Sequence, residues 1–411
     1  MENATFKNFA VQPENPNWDI FSARKTALYS KENDTRSVFE RDYTRILHSL
    51  AYRRLKHKTQ VFFNISNDHI CTRMEHVSHV ESVATTISKA LGLNTELTRA
   101  IAMGHDLGHA PFGHQGERKL DKISRANLGT SFFHEKNGLR FADHIELLED
   151  DYRFWRNMNL TYAVRDGIIS HCGEVDENGI RPRENLIDLN DFTEVGQYQP
   201  ATWEGCVVKI SDKIAYLGRD IEDALRLHFL EEDDLAELSD LCRVNSSKAI
   251  NTTALIHGMI YDICRNSSPD AGIALSEDGA HLMNTVKAFN IRAIYRNKKL
   301  DPFIKYSDLV IEEIFNLLAD IFDGANTLSA LQKKAREYPE TCGAFANWLT
   351  KYCVLPQTLF DTSSENTVKC VNEKIYGNLD DEKTYIQAII DYISGMTDTY
   401  AIKCFNELIT Y

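Results

Sequence analysis

The chain has 411 residues, 43% hydrophobic and 26% charged, with Gly 20 and Pro 9. That length predicts two or three lobes, the composition excludes a disordered chain, and the scarcity of turn formers argues against a many-stranded sandwich or barrel. The formal net charge of −14 does not attract nucleic acid to the chain as a whole, so an anionic substrate needs a local basic pocket or a metal.

The nine cysteines are scattered, with no CxxC pair. This pattern points to a reducing compartment, the cytoplasm, rather than to a disulfide framework or zinc ribbon. No apolar run is long enough for a membrane span, and the first residues lack the basic and apolar blocks of a signal peptide. No Walker loop, GxGxxG, serine-hydrolase elbow or zinc-finger spacing occurs.

In chain order, residues 1–35 are polar and irregular and read as an arm. Residues 36–230 read as a mostly helical core, interrupted at 173–200 by a long surface excursion without periodicity. Residues 231–411 read as a C-terminal helical region that completes the pocket and makes oligomer contacts. Within these spans, 201–230, 248–265, 282–297, 302–322 and 383–408 carry helical patterns. The predicted fold class is all-α, with little or no sheet.

Histidine concentrates in one stretch: eight of fourteen lie between His69 and His144. On the first helix there, Val77, Val80, Ala84, Ile87 and Leu91 form an apolar face, with His76 just before it. The next pattern places His105 and His109 one turn apart on one helical face, with Asp106 beside His105. On 203–230, Asp212, Tyr216 and Asp220 recur at i, i+4 and i+8, on an arc of roughly 80°. A lone helical histidine is usually a core or capping residue. His76, His105, Asp106 and Asp212 together make a two-histidine, two-aspartate donor set for a divalent ion (Mn, Fe, Co, Ni, Zn or Mg), the mixed imidazole and carboxylate ligands suiting first-row metals.

At this point the chain resembles the HD-domain superfamily of metal-dependent phosphohydrolases, and within it the deoxyguanosine triphosphate triphosphohydrolase branch. The similarity rests on ERDYTRILHSLAYRRLKHKTQVF (40–62), HDLGHAPFGHQGE (105–117), FFHEKNG (132–138), NLTYAVRDGIISH (159–171), VVKISDKIAYLGRDIED (207–223) and ISGMTDTYA (393–401). It covers 36–230 well and the remainder in patches. It implies hydrolysis of a dNTP, dGTP foremost, to deoxynucleoside and inorganic triphosphate. It also implies His76, His105, Asp106 and Asp212 as metal ligands. His79 departs from the family pattern; one turn from His76, it either tunes the metal or packs beside it.

An alkoxide leaving group needs a general acid. The resemblance favours His114 over His109 for it, with His109, His134 and Glu117 as α-phosphate contacts and a hydrogen-bonded relay, and Glu135 orienting an imidazole. Residues 36–75 carry eight Lys/Arg against four Asp/Glu. Arg73, three residues before His76, is assigned to the phosphates, as is Lys213 beside Asp212. Gln60 and Asp220 match family positions that contact the sugar, and the Tyr216 ring could block a ribose 2′-OH. The sequence does not locate the base pocket; Tyr295 and Arg296 are candidates for it. By resemblance the partners extend to a regulatory dNTP, single-stranded nucleic acid and a homo-oligomer, a hexamer in relatives, with no membrane partner. The competing readings are an HD phosphohydrolase of nucleoside monophosphates or cyclic nucleotides, and a non-catalytic nucleotide sensor or single-strand binder.

Overall fold

The computed structural model describes residues 6–28, 34–63, 69–150, 152–173, 178–241, 252–354 and 369–410. The protein is all-α as expected, and the chain divides into two compact units. One comprises Met1–Leu47, Thr59–Asp106 and Leu160–Pro302; the other comprises His48–Lys58, Leu107–Asn159 and Phe303–Tyr411.

The first unit is built around helices Arg73–Leu91, Thr95–Gly104, Tyr162–Ser170 and Trp203–Arg226, which pack on one another. Helix Arg73–Leu91 begins where the Glu75 carboxylate accepts the Thr72 backbone N–H at 2.7 Å, and it ends at Gly92 in the left-handed region, φ 80°. Both are standard helix-terminus devices. Its predicted apolar face is buried throughout: Val77, Val80, Ala84, Ile87 and Leu91. Asn94 caps the next helix by accepting from Glu96 and Leu97 N–H, and Thr202 caps Trp203–Arg226 through Gly205 N–H.

Several expectations are corrected here. The helix after Asn94 stops at Gly104, and residues 105–108 are turn. His105 and His109 therefore share no helical face, and they fall in different units. The N-terminal residues form more than an arm. Phe6, Ala10, Val11 and Phe21 are buried, Phe6 lies 4.8 Å edge-on to Trp203, and Trp18–Phe21 is a short helix. Of the predicted excursion at 173–200, residues 174–177 lie outside the described residues; the rest is irregular as expected apart from one helical turn at Leu189–Asp191, yet Ile180, Leu189 and Phe192 are buried, so it supplies core as well as surface. Of the predicted 248–265 helix, Thr252–Asn266 is helical and 248–251 lies outside the described residues.

In the second unit, helix Glu382–Ser394 packs on helix Gly113–Leu128. The predicted single helix 383–408 is two, Glu382–Ser394 and Asp398–Ile409, because Thr397 accepts the Tyr400 N–H and starts a new helix. The amphipathic 302–322 pattern forms Asp301–Ala319, with Val310, Ile311, Ile314 and Leu318 buried. A small sheet joins Leu147–Glu149 antiparallel to Phe154–Asn157 and the latter parallel to Lys369–Cys370.

Candidate active site

Three segments of the first unit converge on a buried cluster. His76 comes from the first turn of Arg73–Leu91, His105 and Asp106 from the turn after Gly104, and Asp212 from the middle of Trp203–Arg226. His76 Nε2 lies 2.9 Å from Asp212 Oδ1, and His105 Nε2 lies 3.6 Å from Asp106 Oδ1 and 3.9 Å from Asp212 Oδ1. His105 Nδ1 is 2.6 Å from the Ala102 carbonyl oxygen, so the proton sits on Nδ1 and the Nε2 lone pair faces the carboxylates. That Nε2 is buried and makes no hydrogen bond. An orphaned imidazole nitrogen among carboxylates, its ring fixed through the other nitrogen, is the arrangement a divalent cation satisfies. The donor set fits a metal ion, and its mixed chemistry does not single one out.

Electrostatics inside the cluster follow from the pairing. Burial pushes the Asp212 carboxyl up, but the His76 hydrogen bond and charge outweigh it and hold Asp212 well below the usual carboxylate range. Burial likewise pushes His76 down, and Asp212 reverses it, so the imidazole is raised. His171 also belongs here. Its ring centroid is 4.9 Å from that of His105, its Nδ1 is 2.7 Å from the Ile168 carbonyl oxygen, and it groups with His105 and Asp106 at ligand spacing. It was not singled out from sequence; the signal was present in the terminal histidine of NLTYAVRDGIISH, which leaves its helix three residues after a carbonyl just as His105 does.

The residues expected to hold substrate lie in this same unit. Arg73 is 1% exposed; Nη1 donates to Asp106 Oδ2 at 3.0 Å, while Nε and Nη2 are buried without a hydrogen-bond partner. Lys213 and Tyr216 are half-buried on the Asp212 helix. Gln60 follows the Thr59–Thr72 bridge and carries a buried, unpartnered Oε1. Asp220 is buried and accepts from the Tyr295 hydroxyl. Burial lifts its carboxyl to about 7 against that hydrogen bond. Tyr295 is thus engaged at the predicted sugar contact, whereas Arg296 is exposed. His79 does not join the donor cluster: its Nε2 accepts from Arg219 Nη2 at 2.6 Å, and Arg219 also binds Glu222.

A second cluster occupies the other unit. His109, His114, Glu117 and His134 present donor atoms within 4.8 Å of one another. The His109 and His134 rings stack, centroids 3.7 Å apart and 18° between planes. Glu117 anchors the group: Oε1 accepts the His134 backbone N–H at 3.0 Å and lies 3.1 Å from its Nδ1, while Oε2 lies 3.2 Å from His114 Nδ1. Burial alone would raise the Glu117 carboxyl, but the His134 and His114 imidazoles hold it well below the usual range. Glu135 is buried 3.5 Å from His134 Nδ1. His114 is the exposed member, its side chain 62% accessible.

Local backbone explains this placement. Phe112 (φ 63°) and Gly113 (φ 59°) are both left-handed and turn the chain sharply into helix Gly113–Leu128, and Asp398 accepts the Phe112 N–H at 2.8 Å. Lys58, buried, donates to the His109 and Ser394 carbonyls. The stretches KTQVF and ISGMTDTYA thereby brace the imidazole segment.

Two clusters of histidine and carboxylate on a helical framework, the first led by an adjacent His-Asp pair, define an HD-type phosphohydrolase, and the HD domain profile matches residues 73–217. A second profile, the phosphohydrolase-associated domain, matches 357–407. The chain is 32% identical over 387 residues to a deoxyguanosinetriphosphate triphosphohydrolase-like protein of Caldanaerobacter subterraneus, covering 94% of this chain and 89% of the relative. Proteins of the same description from Rickettsia bellii (31%, 91% and 92% covered) and Rickettsia felis (30%, 91% and 92%) are also similar. The chain belongs to the deoxyguanosinetriphosphate triphosphohydrolase-like family of HD-domain proteins. No described helix is long and apolar enough to cross a membrane.

Proposed function

We propose that the protein hydrolyses a deoxynucleoside triphosphate, dGTP foremost, to deoxynucleoside and inorganic triphosphate, with water attacking the α-phosphorus. The observation that carries this reading is the buried, unbonded His105 Nε2 among His76, Asp106 and Asp212, with the Arg73 guanidinium held against Asp106. A divalent ion bound by those four side chains supplies polarisation of a phosphate oxygen and a more acidic water. Arg73 offers Nε and Nη2 to phosphate oxygens, and Lys213 offers a second cation. Gln60 and Asp220 hold the sugar hydroxyl, and Tyr216 excludes a 2′-OH.

His114 gives the proton to the departing 5′ oxygen, which is a poor leaving group as an alkoxide. The ionised Glu117 fixes the His114 and His134 rings. His109 and His134 contact the α-phosphate, and Glu135 keeps His134 in place. The experiment is incubation of the purified chain with each of the four dNTPs and Mn, followed by separation of products. Triphosphate with deoxynucleoside supports the reading. Orthophosphate released only from a nucleoside monophosphate replaces it with the nucleotidase reading.

A further inference from the structure

His171 has no role in the proposed reaction, yet the fold places it with care. It is the C-cap of helix Tyr162–Ser170 and is 1% exposed. Helix Thr95–Gly104 packs on that helix and ends at His105. Glycines make the approach close. A methyl group at Gly167 would lie 2.5 Å from Ile101 Cγ2, and one at Gly104 would lie 2.8 Å from Ile168 Cδ1. The two helices therefore finish side by side, their terminal imidazoles 4.9 Å apart from centroid to centroid.

The two rings are held alike. His105 Nδ1 lies 2.6 Å from the Ala102 carbonyl oxygen, and His171 Nδ1 lies 2.7 Å from the Ile168 carbonyl oxygen. Each carbonyl accepts the Nδ1 proton, which leaves Nε2 with its lone pair. His105, Asp106 and His171 each offer a donor atom, all within 4.8 Å of one another. His171 is also close enough to Asp212 that a proton on its ring would lower that carboxyl. A histidine that only closed a helix would need Nδ1 alone, with no carboxylates around it. Here imidazole lone pairs and carboxylate oxygens, all electron-pair donors, share one buried space, and a divalent cation relieves their repulsion. A third imidazole also adds a donor without adding charge. Two aspartates already balance a divalent ion, and a third carboxylate would leave the site negative where a triphosphate must approach.

We infer that His171 is a fifth ligand of the metal ion, its Nε2 joining His76, His105, Asp106 and Asp212. This rests on the metal site of the proposed function and deepens it. Three imidazoles beside two carboxylates favour Co, Ni or Zn over Mg, which prefers oxygen donors.

The test uses the full chain, stripped with a chelator and reloaded with Mn, Co or Mg in the absence of nucleotide. His171→Asn keeps an N–H for the Ile168 carbonyl, since the amide nitrogen stands where Nδ1 was, and removes the outer nitrogen. His171→Gln instead places an amide group near the Nε2 position. Pulsed EPR of the Mn-loaded chain is expected to count three coupled imidazole nitrogens in the wild type and two in His171→Asn. Co affinity, followed by visible absorption, is expected to fall at least about tenfold in His171→Asn, no less than the loss of an outer-sphere partner causes. His171→Gln should recover part of that loss, and Mg affinity should change less. The metal-free melting temperature of His171→Asn is expected to match the wild type, and the wild-type nitrogen count decides the matter even where a variant folds poorly. Two coupled nitrogens in wild type and His171→Asn alike would overturn the fifth ligand and leave the four-ligand site and the proposed activity standing. A wild-type chain that binds neither Mn nor Co would overturn both.

Discussion

His105 and His114 illustrate how two histidines of one motif are given different work by their surroundings. His105 is fully buried, its Nδ1 tied to a backbone carbonyl and its Nε2 aimed at two carboxylates. His114 is mostly exposed and its Nδ1 meets the ionised Glu117. His105→Ala is therefore expected to lose bound metal and turnover together. His114→Ala should keep its metal and lose turnover by about 10²–10⁴-fold, the usual contribution of a positioned acid. Metal content by mass spectrometry beside kinetics on the same preparations separates the two; a His114→Ala enzyme with wild-type turnover removes the proton-donor role.

The glycines of that motif are constrained as tightly. A methyl group at Gly108 would sit 2.0 Å from the His134 carbonyl oxygen and 2.1 Å from the Gly138 nitrogen, both backbone atoms. Gly108→Ala should destabilise by at least about 3 kcal/mol, the upper end of overpacking costs, seen as a lower melting temperature; an unchanged melt would contradict the close approach. At this scale the sequence was informative where residue type and chemistry coincide, as in the pairing of His76 with Asp212. It misled over His105 and His109, where an i, i+4 spacing suggested a helix that two glycines and a turn interrupt. It was silent on His171, because one histidine at a helix end has the same appearance whether it caps or joins a cluster.

The helices of the first unit were legible because their apolar faces repeat at helical spacing and their ends carry cap residues. What composition could not show was that the polar N-terminal segment is pinned into the core. Glu204, in the first turn of Trp203–Arg226 and fully buried, accepts the backbone N–H groups of Val11 and Asn94, both at 3.0 Å. Its burial pushes the carboxyl from 4.5 to about 7 against those hydrogen bonds. The folded state therefore holds this proton more tightly than the unfolded chain, and stability falls as pH rises from 4.5 to 7, by roughly 3 kcal/mol from this group. Gln at this position keeps an oxygen for both N–H groups and cannot ionise. Glu204→Gln is expected to match the wild type near pH 5 and to melt at a higher temperature at pH 8. Parallel melting curves across that range would show that Glu204 does not carry the pH dependence.

At the scale of the whole molecule, the two units are interleaved in sequence, the chain passing between them at Leu47, Lys58, Asp106, Asn159 and Pro302. A division read along the sequence could not anticipate this, since hydropathy records which face of a helix is buried but not its distant partner. The second unit needs the C-terminal residues to hold its imidazole segment, and one buried ion pair shows how. Arg140 ends the helix that starts at His134, and its Nε and Nη2 reach both oxygens of Asp391 at 2.6–2.8 Å. The Asp391 side chain is fully buried, with Tyr376 and Gln387 as further donors. Removing the cation alone leaves a buried carboxylate uncompensated, which costs about 3–5 kcal/mol, whereas removing both charges costs less. Arg140→Met is thus expected to lower the denaturant midpoint sharply, and Arg140→Met with Asp391→Asn to recover part of the loss. If instead the double variant is destabilised by the sum of the two single changes, the pair acts as two separate surface contacts and does not lock His134–Arg140 to the C-terminal helices.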